Sequence, residues 1–519
     1  MVEDRQTLRS GGVVKLVSTS RMSTIDRETQ ERYNVPGLVL MEGAAIRCTD
    51  LLEQTIGADR SGTVLFVAGK GNNGGDALAM ARLSWIAGHF PLRIVITDAT
   101  PGGSCGRQLA SCVALGIPVT LFDGDPASVQ VELARATWIV DGISGTGLSG
   151  SLRAPLSRLV EAINERGTSV FAVDTPSGIG DQYRKEFPAV RATVTATIGL
   201  PKSCLYLPHA RPLCGRIVPV RISFPRELTE AQDIPGELLD SGDLEALLPP
   251  IDSSTYKTKR GYLALFAGAS GTAGAAVLAA TAATRVRTGL VALHIDEQAH
   301  AAAAAQCRSV MVRAWKPGTD TVEGTIPGPY SALAVGPGWG TGPDRDELIA
   351  DLVQSGLPGV LDADGLNALV SRREKGKPEL SFGGRWVFTP HPGEFSRLTG
   401  TPTSAVLDDP YSAATRAAAE FGVCIVLKGH VTVIALPDGR YNVVDGMNPA
   451  MATGGSGDVL TGIVGGLLAS GLPPEIAATA GVLIHQEAGR EAFSQFGWFA
   501  AEQLVEVLSR VLARYQRRE

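Results

Sequence analysis

Residues 448 to 468 read NPAMATGGSGDVLTGIVGGLL, a run of small residues that meets an aspartate and continues as an apolar stretch with helical spacing. The backbone N–H groups of Gly455, Ser456 and Gly457 can converge on an anion, because no bulky side chain blocks the approach. The helix that follows adds the partial positive charge of its N-terminus. Asp458, at the junction, suits a base that takes a proton from a substrate hydroxyl while the loop holds a transferring phosphoryl group. The bland alternative is a glycine-rich turn capped by an aspartate.

A second loop, GKGNNGGD at residues 69 to 76, follows the apolar run Thr63 to Ala68 and precedes a helical pattern from Ala77 to Ala87. It is not the dinucleotide fingerprint. Its amides and carboxylate offer oxygen ligands for a hard cation and hydrogen bonds for polar ring substituents. Further strand ends carry polar groups. Asp141 runs into GISGTGLSG, Asp174 runs into TPSG, and Lys202 follows TVTATIGLP. Ligands of open α/β sheets bind at the carboxyl ends of strands, so Asp76, Asp141, Asp174 and Lys202 are expected to converge. Each alone would serve as a cap or turn former.

The C-terminal half repeats the pattern with other residues. LDADGLN brings Asp362 and Asp364 to a strand end, for a metal held through water or for a helix cap. TPHPGE brings His391 and Glu394, and His391 also suits a hydrogen-bonded turn. LKGHVT brings Lys428 and Thr432, with the lysine a compact positive charge for a nucleotide phosphate.

Positioning these groups requires an α/β architecture. Glycine clusters between short apolar runs mark tight strand-to-helix turns, and 519 residues allow two or three domains. Residues 1–17 read as an arm. Helices are expected from Ser23, capped by its own hydroxyl, and from Leu38. The proline-bearing stretch 224–256 reads as a linker with a domain boundary at 230 and a short helix at Ser241–Leu248. A hairpin is expected at Asp438-Gly439. A net charge of −6 argues against general nucleic-acid binding. Seven cysteines without CxxC or zinc spacing point to reduced thiols in the cytoplasm. No apolar run has the length of a membrane span.

GKGNNGGDALAMAR, VDGISGTGLSG, VDTPSGI and the late lysine, in that order, resemble the NAD(P)H-hydrate epimerase domain of the YjeF N-terminal family. The resemblance implies a Rossmann-like doubly wound domain at 18–229 that interconverts the R and S forms of hydrated NADH and NADPH. It places Asn72, Asn73, Gly74, Gly75 and Asp76 against the hydrated dinucleotide. Gly145, Thr146, Gly147, Leu148, Ser149, Gly150 and Ser151 would surround its phosphates. Asn73, Asp141 and Ser177 would hold potassium, and Asp174 would be the acid/base residue with Lys202 beside it.

LDADGLN, TPHPGEFSRLTG, LKGHVTVI and NPAMATGGSGDVLTGI resemble the ADP/ATP-dependent NAD(P)H-hydrate dehydratase family. That implies a ribokinase-like α/β domain at 230–519. Ala275, Gly338, His391 and Asp458 would contact the S-form substrate. Lys428, Gly429, His430, Val431, Thr432 and Gly457 would bind ADP, or alternatively ATP, with Mg²⁺ on the nucleotide. Together the resemblances imply a cytoplasmic, homo-oligomeric repair enzyme with small-molecule partners and neither nucleic acid nor membrane. It would epimerise hydrated NAD(P)H and dehydrate the S form, converting ADP to AMP and phosphate. Two other readings are a small-molecule kinase of the ribokinase group and a non-catalytic ligand-binding N-terminal half.

Overall fold

The computed structural model describes residues 14–58, 60–316 and 329–517. Most of the expected arm, residues 1–13, lies outside the described residues. Positions 14–17 are not loose. Val14–Leu16 is a strand, and Val17 exchanges backbone bonds with Pro201 O (3.1 Å) and Ser203 N (2.7 Å). The chain divides into two compact units, Met1–Glu237 and Leu238–Glu519.

The first unit is built on a seven-stranded sheet: β1 (Thr63–Ala68), β2 (Leu92–Ile96), β3 (Val119–Leu121), β4 (Ala136–Gly142), β5 (Ser169–Val173), β6 (Val194–Ile198) and β7 (Arg216–Val220). Their spatial order is β3-β2-β1-β4-β5-β6-β7, and all pairs are parallel. Short apolar runs such as TVLFVA, buried almost throughout, are what a sheet covered on both faces demands. Chain direction across the sheet reverses between β1 and β4, which opens a crevice at their carboxyl ends.

Helix α1 (Thr19–Arg32) starts earlier than expected and is capped by Ser18, which accepts from Arg21 N at 3.0 Å. Asp181 explains the extra turn: its carboxylate takes Thr19 N (2.9 Å) and Thr19 Oγ1 (2.7 Å). Helix α2 (Gly37–Ile56) follows. Helix α3 begins at Asn72, not Ala77, and runs to Ala87, so most of the glycine-rich loop is its first turn. The unit ends at Glu237, later than the boundary expected at 230, because Leu228 and Ile234 are buried with Val17, Met22, Ile25 and Leu200.

In the second unit the strands are β8 (Tyr262–Phe266), β9 (Leu290–Asp296), β10 (Met311–Trp315), β11 (Ala332–Val335), β12 (Gly359–Leu361), β13 (Trp386–Phe388), β14 (Cys424–Leu427), β15 (Val431–Ala435) and β16 (Tyr441–Asp445). They lie in the order β16-β15-β14-β13-β12-β11-β8-β9-β10. Pairs from β14 through β10 are parallel, while β15 and β16 form the expected antiparallel hairpin. The switch in direction falls between β8 and β11, so the loops after these two strands meet.

Helix α4 (Ala273–Thr284) follows β8, and α5 (Pro392–Thr399) follows β13. Helix α6 (Ser456–Ala469) is buried at every position from Val459 to Ala469. It packs against α4 and against α7 (Pro474–Phe496), beside α8 (Ala501–Tyr515). A helix apolar on all faces has to be enclosed in this way.

Candidate functional site

Two sites form, one at the carboxyl ends of each sheet. In the second unit, Gly455 turns the chain into α6 with φ +89°, a left-handed conformation suited to a residue without Cβ. No side chain caps α6, so the small-residue loop leaves its first N–H groups open to a ligand. Asp458 lies in that first turn, half-buried. Burial and the nearby Asp362 charge push its carboxyl up to about 6, with Lys428 opposing and Asp364 and Glu394 adding smaller pushes.

Lys428, just past β14, gives its ammonium to Asp362 at 2.7 Å and lies 3.9 Å from Glu394. Burial depresses its pKa, but Asp362 and Glu394, with a smaller push from Asp458, outweigh that and leave it raised. A Cβ on Gly457 would sit 3.4 Å from Lys428 Nζ, so the lysine lies directly below the loop. The expected site segments 428–432 and 457 therefore meet.

Asp362 is fully engaged with protein groups. Its second oxygen accepts from Thr461 Oγ1 at 2.7 Å. Asp364 accepts from Gly340 N at 2.7 Å and from Asn367 Nδ2 at 3.2 Å. Neither carboxylate caps its helix, and among the described residues no cluster of three His, Cys, Asp or Glu side chains can hold a metal.

His391 caps α5: its Nδ1 accepts from Gly393 N (3.0 Å) and Glu394 N (3.3 Å), and Glu394 returns a bond to His391 N (2.8 Å). With Nδ1 accepting, the proton sits on Nε2, and the exposed ring stands at the rim. Gly338 has φ +53°, and a Cβ there would lie 3.1 Å from Ala275 Cβ, so these two expected substrate contacts adjoin. Thr461 and His485 were missed. His485, neutral because burial lowers it to about 4, donates Nε2–H to Ser456 O at 2.9 Å. Thr461 was detectable one turn beyond Asp458, whereas His485 had no local signal.

The first unit encloses a cavity of about 770 Å³ at the β1/β4 switch point. Asn72, Asn73, Asp76, Gly145, Thr146, Gly147, Leu148, Asp174 and Lys202 line it. Gly74 and Gly75 do not: a Cβ on either would strike Gly69 O at 1.9 Å or Met41 Cε at 2.5 Å, so they serve close packing. Ser149, Gly150 and Ser151 are also outside its wall. Helix α1 supplies Met22, Ser23, Asp26 and Gln30, none of them expected as site residues.

Asp174 adopts φ +67°, a strained backbone for a residue with a Cβ and a frequent mark of function. Its Oδ1 takes the Lys202 ammonium and Ile198 N (3.0 Å). Lys202 is fully buried and also bonds Thr197 Oγ1 (3.2 Å) and Ile198 O (2.5 Å).

Beside the cavity, buried Asp141 accepts from Ser177 Oγ (2.6 Å), Ser177 N (2.8 Å) and Ile143 N (3.2 Å). Burial pushes its carboxyl up to about 6 against these bonds. Ser144 O accepts from Asn73 Nδ2 at 2.8 Å, and Asn73 Oδ1 is buried with no hydrogen-bond partner among the described residues. A buried amide oxygen without a donor, next to a hydroxyl, a carbonyl and one carboxylate, fits a monovalent cation.

Comparison with known proteins agrees with both halves. The family model described as NAD(P)H-hydrate dehydratase matches residues 263–510, and that of the YjeF-related protein N-terminus matches residues 37–204. The bifunctional NAD(P)H-hydrate repair enzyme Nnr of Moorella thermoacetica is 33% identical over 499 residues, covering 93% of this chain and 93% of its own. That of Coxiella burnetii is 34% identical over 437 residues, covering 83% of this chain and 85% of its own. Among solved structures, an ADP/ATP-dependent NAD(P)H-hydrate dehydratase from Bacillus subtilis, co-crystallised with ATP and Mg²⁺, is 28% identical. It covers 55% of this chain and 100% of its own, with a TM-score of 0.47.

Proposed function

The chain belongs to the family of bifunctional NAD(P)H-hydrate repair enzymes, and from that premise we propose how its residues divide the work. It is a dehydratase and an epimerase of hydrated NAD(P)H. Relatives bear that name over nearly the whole chain, which favours neither the kinase reading nor a non-catalytic N-terminal half. We assign epimerisation to the first unit and dehydration to the second.

For dehydration, Asp458 removes the proton of the C6 hydroxyl as that oxygen attacks the terminal phosphorus of ADP, and AMP departs. Lys428 and the open N–H groups at the start of α6 hold the phosphoryl charge. Phosphate then leaves C6, driven by the ring-nitrogen lone pair, and loss of a C5 proton restores the reduced nicotinamide. Lys428 to Thr432 and Gly457 bind the nucleotide. Ala275, Gly338 and His391 seat the S-form ring. Mg²⁺, when bound, neutralises nucleotide charge. The described residues offer it no ready cage, and this ion is commonly held by phosphates with one or two carboxylates.

For epimerisation, the first-unit cavity takes the hydrated dinucleotide, with Asp174 as acid/base residue and Lys202 fixing it. Asn72, Asn73 and Asp76 face the ligand and Gly145 to Leu148 its phosphates, with Ser149 to Ser151 completing that loop. Potassium is held by Asn73, Asp141 and Ser177, and the orphan Asn73 Oδ1 is the support for it. We also place the protein in the cytoplasm as a homo-oligomer. None of its cysteines forms a disulfide, and α2 exposes Val39 and Ile46 on one helical face.

The observation that carries the dehydratase assignment is the half-buried Asp458 at the uncapped start of α6, beside the Asp362–Lys428 pair. The test is the absorbance of NADH regenerated from mixed-epimer hydrated NADH with Mg²⁺ and potassium, adding ADP or ATP in parallel. Complete conversion with ADP is expected. Conversion that stops once the S form is exhausted would mean a silent epimerase, and no gain with either nucleotide would overturn the dehydratase assignment.

A further inference from the structure

Helix α1 (Thr19–Arg32) lies ahead of residues 37–204, the segment matched by the N-terminal family model, yet it walls the first-unit cavity. Asp26 faces that cavity together with Asp76 and Asp174. The Lys202 ammonium has three N–H donors. Asp174, Thr197 Oγ1 and Ile198 O take them, so none remains for Asp76 or Asp26. Gln30 Nε2, one turn along α1, donates to Asp26 Oδ2 at 2.7 Å. An amide donor favours the ionised form of the carboxyl it bonds. Carboxylates that share one cavity, beside a cation already claimed, disfavour one another's ionisation.

We propose that Asp26 is a positioning residue of the epimerase site: its carboxylate keeps the proton on Asp76, which delivers it to the substrate's C6 oxygen. This rests on the reading of the cavity as the epimerase site. Asp76 gives its proton to that oxygen as the C6–O bond breaks, with the ring-nitrogen lone pair filling the vacated position. Water then adds to the opposite face of C6 and gives its proton to Asp174, and exchange with solvent returns a proton to Asp76, so atoms and charge balance.

Electrostatics agree. Burial, then Asp174 and Asp26, push Asp76 well above the usual carboxylate range, and only Lys202 opposes. Asp26 is raised by burial and by Asp174 but held back by Gln30, so Asp76 protonates first. The other groups facing Asp76 are the Cys48 and Cys105 thiols, both pushed up by burial, the latter to about 11. Lys70 and Asp98 complete the charged lining.

The test follows conversion of R-form to S-form hydrated NADH against pH, with spontaneous exchange subtracted, in the full-length protein. Asp26→Asn should leave KM nearly unchanged, slow exchange severalfold at neutral pH, and move the alkaline limb to lower pH by about one unit. Asp26→Glu should restore the limb. Gln30→Met, which keeps Asp26 but lets it hold its own proton, should move the limb the same way by less, and it decides the matter if Asp26→Asn does not fold. An unmoved limb in folded Asp26→Asn, or in Gln30→Met when that variant decides, overturns the proposal, as does full exchange by Asp76→Asn. Absence of exchange in the unmodified protein would instead overturn the epimerase reading itself.

Discussion

Lys428 Nζ lies 2.7 Å from Asp362 Oδ1, and the other oxygen of that carboxylate takes the hydroxyl of Thr461, one turn beyond Asp458 on α6. The lysine that would bind nucleotide is thereby tied to the helix that carries the base. Strand ends distant in sequence are held in register with α6 by one buried carboxylate.

Replacing Asp458 by Asn should abolish dehydration while leaving R-to-S exchange intact. The amide keeps the size and polarity of the side chain but cannot accept the hydroxyl proton. Loss of one general base typically costs about 10² to 10⁴ in rate. Measuring NADH regeneration and epimer exchange on the same folded preparation checks the division. Loss of both would contradict it.

The pH dependence of dehydration should report Asp458. Its carboxyl is pushed up to about 6 and acts as a base, so the ionised form is required. Turnover should therefore fall as pH drops through about 6 and be flat above it. Asp362→Asn removes a negative charge that raises Asp458, so the acid limb should move to lower pH. A limb that stays in place would mean that some other group titrates.

Much of this chemistry was legible because it sits in contiguous blocks. GKGNNGGD, VDGISGTG and VDTPSG each follow a buried strand, and parallel sheets bring such loops to one edge. What failed was longer in range. Asp26 reads as an ordinary residue of an amphipathic helix, since nothing local says that α1 covers the cavity. The Asp362–Lys428–Thr461 bonding joins segments with no sequence relationship. The start of α3 at Asn72 defied the low helix propensity of Gly74 and Gly75, which packing against Gly69 and Met41 overrides. His391 was open between turn and ligand, and its Nδ1 bonds make it a cap whose Nε2 lies 3.4 Å from Glu394 Oε1.

Potassium should stabilise the first unit, and the effect should depend on pH. The folded Asp141 carboxyl is raised to about 6 from 3.8, so keeping it ionised works against the fold as pH climbs between those values. The penalty is complete above the upper value, where a bound cation offsets it. At a hundredfold excess over its Kd, potassium should add about 2.7 kcal/mol. Thermal melts at pH 7.5 should rise with potassium more than with a large organic cation, and much less so at pH 5. Asp141→Asn should erase the difference. Equal melts in both salts at pH 7.5 would remove the case for the ion.

Gly455 and Gly454 are neighbours in the loop before α6 and should respond oppositely to alanine. Gly455 holds φ +89°, and a Cβ there would sit 2.6 Å from Leu278 Cδ1 and 2.9 Å from Ala501 Cβ. Left-handed strain in a residue with a Cβ costs roughly 1–3 kcal/mol, before overpacking against α4 and α8 is added. At Gly454 a Cβ meets nothing within 4 Å, and the backbone is not left-handed, so alanine should be near neutral. Chemical denaturation of the two variants reads the difference directly. Because the turn at Gly455 sets where α6 begins, Gly455→Ala should also displace Asp458 and slow dehydration beyond its effect on stability. Equal stability in the two variants would mean that the turn tolerates a side chain and that the anion loop is not fixed by Gly455.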